Sequence, residues 1–546
     1  MDYIFHLGTR FDEDKGVQFP VLVSHVCKSW RRRALNAKTL WTSIDIKIDK
    51  ASVLAPDCLF GKASAFALRS RRSPLHFRMK VDCPDFHLLP PSNQCAITSL
   101  IRSGIKFIAV EQERVKTLKV ITDVESVCDL ITSGLIPGSL PLLEKWHVSY
   151  GKEDVCFGAR QGVPNRDRAI FHSTIGFPVV QGLAGDTLLP QLREIKLSGA
   201  DPLFYKWAIG SLTSLTLDCL APGDRPRIWE FRIALMLSGN SLETLKLRGS
   251  LPVRWNVEQM PPIVLPKLRQ LRLGFAVQEE ALDFLLVLQM PSLNSLDLCD
   301  LTRTENAIRC RALEHAGYSR DLPGLISIPD LEPNYHFDSA FMLHSVCTQR
   351  PTLMAQIESL TLTNLRLLHT AQEWGPDVLT DSIAPPHILP VRLMLTMKSL
   401  KTLVLDDPDY VFLQSLNQRV LISGSERNAK PSYTYPGSQI SSLVLVNTKY
   451  SHLMEFLNDR TAIARHLARH PEFSETLPVF DRLDFTLEAG DVGACTKEFR
   501  AGRVEGPTIA KTTYYVCSGS PLHPAVYRSD TGFFVPSSFP HHFALA

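Results

Sequence analysis

His466 and His470 stand four residues apart in "ARHLARHPEF", which on a helix places two imidazoles on one face, the spacing of a transition-metal pair. Arg465 and Arg469 flank them, and a surface or helix-end histidine pair is expected there rather than a metal centre. The run "FDEDKG" at 11–16 has some of the carboxylates of a calcium loop but neither its alternating register nor its closing glutamate, so it reads as a solvated loop. Twelve cysteines lie between Cys27 and Cys517, and the nearest two, Cys299 and Cys310, are eleven positions apart. Such scatter gives neither a disulfide framework nor a zinc ribbon, and it suits buried, reduced thiols. No nucleophile elbow, phosphate loop, dinucleotide fingerprint or metalloprotease helix occurs in the sequence. The chain is therefore expected not to be an enzyme and to hold no metal or cofactor.

Binding is the remaining class of chemistry, and composition narrows it. A length of 546 residues exceeds what one hydrophobic core supports, and 45% hydrophobic with 21% charged residues describes a globular chain. A net charge of +3 is small for a phosphate-neutralising protein, so nucleic acid is not an expected partner despite "KSWRRR" and "LRSRRS". The opening "MDYIFHLGTRFDEDKG" lacks the pattern of a signal peptide. "ALDFLLVLQM" at 281–290 carries Asp283 and is followed by Pro291, too short a run to span a bilayer. No membrane association and a location in the cytoplasm, the nucleus or both are expected.

The organising element is a repeat. L-x-x-L-x-L recurs as "LREIKL" from Leu192, "LTSLTL" from Leu212, "LETLKL" from Leu242, "LRQLRL" from Leu268, "LNSLDL" from Leu293, "LKTLVL" from Leu400 and "ISSLVL" from Ile440. Weaker copies are "VKTLKV" from Val115, "LEKWHV" from Leu143, "IESLTL" from Ile357 and "FDRLDF" from Phe480. Each copy predicts a short strand, and the segments between them, such as "WEFRIALML", "QEEALDFLLVLQM" and "DSAFMLHSVCTQ", have helical spacing. Units of this kind bury their apolar faces only against neighbours, so they stack with a parallel sheet along one side. The pattern resembles the leucine-rich repeat. Its spacing is 20, 30, 26 and 25 residues from Leu192 to Leu293 and widens to 64, 43, 40 and 40 thereafter, and the usual asparagine ladder is missing, so the array is an irregular one.

Ahead of the repeats, Leu22, Val26, Trp30 and Ala34 fall four apart and Phe19, Val23 and Cys27 form an adjoining row, predicting one helix with a broad apolar face. Lys28, Arg31, Arg32, Arg33 and Lys38 take the other side, and Leu40, Trp41 and Ile44 are available to fold back on it. The run Val26, Cys27, Lys28, Ser29, Trp30, then Arg32, Ala34, Leu35, then Leu40 and Trp41 resembles the second half of an F-box, in the form common in fungal proteins that join an F-box to irregular leucine-rich repeats. The Leu-Pro segment that usually opens the first F-box helix is absent, so that helix is expected to be truncated.

The resemblance implies an α/β fold class: a leucine-rich-repeat solenoid, horseshoe-like with a parallel sheet on one face, preceded by a small all-α F-box-like module. The expected boundaries are 1–50 for the module, 51–490 for the solenoid and 491–546 for a C-terminal cap and loosely ordered tail. It also implies the substrate receptor of a cullin-based SCF-type ubiquitin ligase, with the Skp adaptor and the cullin complex as partners and a protein target of unknown identity on the repeats. By the same resemblance Ile4, Phe5, Leu7, Val23, Val26, Cys27, Trp30, Leu35 and Trp41 form the F-box core or adaptor surface. The competing expectation is a stand-alone repeat scaffold with an F-box remnant.

Alternation along each strand puts the residues between the leucines on the exposed face. The expected target-binding residues are Lys196, Lys246, Arg248, Arg272, Asp297 and Asp406, with Ser198 also outward, giving a basic centre at Lys246, Arg248 and Arg272 and an acidic end at Asp297 and Asp406. An acidic target segment would be drawn to that centre.

Overall fold

Every L-x-x-L-x-L copy becomes a strand whose two inner apolar residues are buried, and in all but the copy from Phe480, where Asp484 is buried, the residue between them is at least partly exposed. In "LETLKLR", Leu242, Leu245 and Leu247 are buried while Thr244, Lys246 and Arg248 are half-exposed. The computed structural model describes residues 19–54, 56–83, 86–124, 127, 140–150, 189–199, 210–218, 220, 225–226, 228–252, 261–275, 277–301, 339–365, 389–408, 410–423, 432–470, 480–487, 512–517 and 524–528. The chain divides into two units, the first running through Arg254 and the second taking most of the residues from Pro266 onward.

In the first unit, strands β1 (Ser43–Asp49), β2 (Leu75–Asp82), β3 (Val115–Thr122), β4 (Lys145–Tyr150), β5 (Glu194–Ser198), β6 (Ser214–Asp218) and β7 (Thr244–Arg248) pair side by side in chain order, all parallel. Parallel neighbours need a return segment. Between β1 and β2 it is helix α3 (Pro56–Ser70), between β2 and β3 helix α4 (Pro91–Val110), and before β7 helix α5 (Ile228–Ser238). Helices α1 (Phe19–Val26) and α2 (Lys28–Asn36) precede β1. The sheet buries one face against the helices: Phe77 meets Phe107 edge-on at 5.9 Å, and α4 lies close enough that a Cβ at Gly104 would stand 3.3 Å from Met79 Sδ.

In the second unit, β8 (Gln270–Phe275), β9 (Ser295–Asp300), β10 (Ser359–Thr363), β11 (Thr402–Asp406), β12 (Ser442–Thr448), β13 (Arg482–Leu487) and β14 (Thr512–Cys517) are likewise parallel and in chain order, and β15 (Pro524–Arg528) closes it antiparallel to β14. Its return helices include α6 (Gln278–Val287), α7 (Ala340–Gln349), α8 (Pro351–Gln356), α9 (Leu389–Thr396), α10 (Tyr410–Ser415) and α11 (Tyr450–Arg469). The three return segments with helical spacing in the sequence thus form α5, α6 and α7. Strands β14 and β15 lie within the segment 491–546, and β1 lies within 1–50 and already belongs to the sheet.

Two backbone ladders set the register in place of the missing asparagines. Just before strands β5 to β7 and β9 to β12, two consecutive N–H groups donate to one carbonyl of the preceding repeat. Arg193 and Glu194 share Glu144 O, Thr213 and Ser214 share Arg193 O, Lys401 and Thr402 share Glu358 O, and Ser441 and Ser442 share Lys401 O, at 2.8 to 3.0 Å. Just after the strand, or within its irregular end in β12, the residue seven positions beyond the first apolar residue of the copy turns left-handed at Gly199, Gly249, Asn364, Asp407 and Asn447, with φ between 51° and 64°. Glycine, asparagine and aspartate are the residues that tolerate this conformation. In that turn the N–H groups of Gly199, Asn364 and Asp407 each donate at 2.9 Å to the last strand carbonyl of the next repeat, at Asp218, Asp406 and Val446.

Candidate functional site

The expected single N-terminal helix is broken. Cys27 is extended (φ −160°, ψ 169°) and caps α2, its Sγ accepting the Trp30 N–H at 3.4 Å, so Leu22 and Val26 on α1 no longer share a face with Ala34 on α2. Of the residues assigned to this module, Val23 and Trp41 are buried, Trp30 is half-buried, and Val26 (63% exposed), Cys27 and Leu35 (39%) face outward, as does Leu22 (52%). Ile4, Phe5 and Leu7 lie outside the described residues. Trp41 anchors the pair of helices to the sheet unit. Its indole N–H donates to Ala34 O at 2.8 Å, Phe66 of α3 meets it edge-on at 4.9 Å, and the Arg69 guanidinium lies 4.5 Å above its ring. Leu22 and Val26 on α1 and Leu35 on α2 are thus exposed apolar side chains on a helix pair that also carries the exposed Lys28, Arg31, Arg32 and Arg33.

The second surface is the outward sheet face of the first unit. Because the parallel register is one to one, face residues at equivalent repeat positions fall into rows across the strands. The central row reads Asp45, Arg78, Lys119, His147, Lys196, Thr216 and Lys246 from β1 to β7. Lys119, Lys196 and Lys246 make no ion pair with another described residue, whereas Lys145 in the adjoining row is held by Glu194 at 2.7 Å. The His147 ring also meets Glu194 Oε1 at 3.0 Å, and burial keeps the imidazole below its ordinary pKa despite that carboxylate. Burial pushes Glu194 up, but the hydrogen bond from Lys145 and the other contacts from Lys145 and His147 outweigh it, leaving the carboxyl below the usual glutamate range.

The row contrasts with the one just before the strands, where charges oppose each other: Lys116 pairs with Glu144 at 3.2 Å in the first unit, and Lys401 with Glu358 at 3.0 Å in the second. Opposite charges on neighbouring strands stabilise a sheet and like charges destabilise it. In the central row Asp45 stands opposite Arg78, while Arg78 and Lys119 are like-charged neighbours in the register.

The other expected face residues are distributed differently. Lys196, Lys246 and Arg248 belong to the first unit, where Arg248 stands opposite Asp218. Arg272 belongs to the second unit and is paired with Asp297 across β8 and β9, Nε to Oδ2 at 3.0 Å, so it does not join them in one basic centre. Asp406 is half-buried and accepts the Asn447 side-chain amide at 2.7 Å; burial, with Asp407 beside it, holds its carboxyl above the usual range. Ser198, expected outward, is 3% exposed. Arg78, Lys119 and His147 were missed because β2 has no L-x-x-L-x-L core and the copies in β3 and β4 are degenerate. The strict alternation of "LHFRMKVD" is the signal that would have found β2.

His466 and His470 sit at the end of α11 with ring centroids 4.6 Å apart, and among the described residues no group of three or more histidine, cysteine or acidic side chains could hold a metal. Burial pushes the Cys83 thiol up to about 11 and the Cys347 thiol up to about 12, opposite to an activated nucleophile. Among the described residues no helix is long and apolar enough to cross a membrane. No protein-family model matches the chain, and no curated protein matches it.

Proposed function

We propose that the chain is a non-catalytic receptor subunit of a cullin-based ubiquitin ligase, an irregular leucine-rich-repeat protein whose N-terminal helices form a divergent F-box. On this reading α1 and α2 dock on the Skp adaptor, the repeats hold a protein target in the cytoplasm or nucleus, and ubiquitin transfer is accelerated by raising the effective concentration of target lysines near an enzyme supplied by other subunits. The observation that carries it is the helix pair itself: Leu22, Val26 and Leu35 stay exposed while Trp41 seats the helices on the repeat unit.

Titrating the purified chain with the Skp adaptor tests it. Wild type is expected to bind, and a Val26→Ala, Trp30→Ala variant with an unchanged circular dichroism spectrum is expected to lose binding. A folded wild-type chain that does not bind would replace this reading with that of a stand-alone repeat scaffold.

A further inference from the structure

We infer that the outward sheet face of the first unit binds an extended, carboxylate-rich protein segment that crosses the strands along the row from Arg78 to Lys246. This deepens the reading of the repeats as a target-holding surface by naming the chemistry of the target, and it does not depend on adaptor binding.

The row crosses five strand intervals from β2 to β7, about 24 Å at about 4.8 Å each, the reach of about seven extended residues. Three of its members, Lys119, Lys196 and Lys246, are not held in ion pairs with described residues, so their ammonium groups are available to a ligand. Acidic side chains laid along such a row gain complementary charge at several points at once, which steers encounter and fixes direction. The flanking rows are mixed in sign, with Lys145 and Glu194 on one side and Lys80, Asp218 and Arg248 on the other. A single-stranded nucleic acid also needs aromatic platforms. The face positions of β1 to β7 are Ser, Thr, Asp, Glu, Lys, Arg, His and Ile, without Phe, Tyr or Trp.

Fluorescence anisotropy with the full chain decides it, using labelled octaglutamate, octaglutamine and a ten-nucleotide oligothymidylate as probes. Octaglutamate is expected to bind and octaglutamine not to. Binding is expected to weaken at least tenfold in a Lys119→Glu, Lys196→Glu, Lys246→Glu variant, and to weaken in the milder Lys→Gln triple, which guards against misfolding. It is expected to persist in an Arg31→Glu, Arg32→Glu, Arg33→Glu variant, where the adaptor surface is altered instead. Octaglutamate that does not bind, or binds the row variants as well as wild type, overturns the inference. So does oligothymidylate bound through the row in preference to octaglutamate. Adaptor titration of the same row variants is expected to be unchanged, so failure here is separable from failure of the ligase reading.

Discussion

The indole N–H of Trp41 donates to the carbonyl of Ala34 at 2.8 Å, tying the end of α2 to the residue that leads into β1. Trp41 is 1% exposed, with Phe66 edge-on to it and the Arg69 guanidinium over its ring, so it couples the N-terminal helices to the sheet. Trp41→Ala is expected to cost about 3–5 kcal/mol, and Trp41→Phe, which keeps a ring but removes the donor, about 1 kcal/mol. Denaturant unfolding measures both. Limited trypsin digestion is expected to cut faster at Arg31 to Arg33 in the alanine variant only, because the helices lose their seat.

The left-handed turns after the strands separate two substitutions that look alike. At Gly199 (φ 64°) an added Cβ would stand 3.1 Å from the Tyr150 carbonyl oxygen, and Gly199→Ala is expected to destabilise by about 1–2 kcal/mol. Asp407 (φ 52°) already bears a side chain there, and Asp407→Gly is expected to stay within about 0.5 kcal/mol, since relieved strain offsets added chain entropy. Thermal and urea unfolding of the two variants give the comparison.

Charge arrangement predicts a trade between stability and binding. Lys119→Thr removes a like charge opposite Arg78 on the neighbouring strand and is expected to raise stability by a few tenths of a kcal/mol at low salt while weakening octaglutamate. Glu358→Gln removes an exposed opposite-charge pair with Lys401 and is expected to lower it by less than about 1 kcal/mol. Both effects should shrink at high salt, as melting curves at two ionic strengths would show.

His76 and His147 both sit below the ordinary histidine value of about 6.5, chiefly through burial. His76 contacts Thr117 and feels Lys116 and Glu144; His147 feels Glu194, Lys119 and Lys145. A base depressed in the folded state takes up its proton first when unfolded, so stability is expected to fall as pH drops through about 6.5 and below. Asp123 and Asp406, raised mainly by burial, act in the opposite sense at lower pH, above about 3.8. A His76→Gln, His147→Gln variant is expected to flatten the decline between pH 7 and pH 5 in melting experiments. Protonating His147, which stands between Lys119 and Lys196, is also expected to tighten octaglutamate over the same range.

Strands were legible wherever the leucine pattern was intact, because three buried side chains at fixed offsets leave the backbone little choice. Strands β1 and β2 escaped because "SIDIKID" and "LHFRMKVD" carry the alternation without the L-x-x prefix. The break at Cys27 was hidden for the opposite reason: apolar spacing runs on through it, and a thiol is a weak capping signal. Candidate face residues could be named strand by strand, but which of them are neighbours depends on register. Arg272 and Asp297 hold the same offset in successive copies, so their pairing was implicit in the repeat, whereas the Arg78–Lys119 register pairing needed β2 to be found first.

The carbonyl shared by two N–H groups before strands β5 to β7 and β9 to β12, and the left-handed turn that closes five of these repeats, fix a strand to its neighbour through main-chain atoms alone. Everything between one turn and the next strand is then free to change in length, as successive cores 20 to 64 residues apart already do. Such a chain can lengthen or replace a connecting segment without moving any residue of the face. New specificity can therefore be acquired one segment at a time while the old binding row is inherited unchanged.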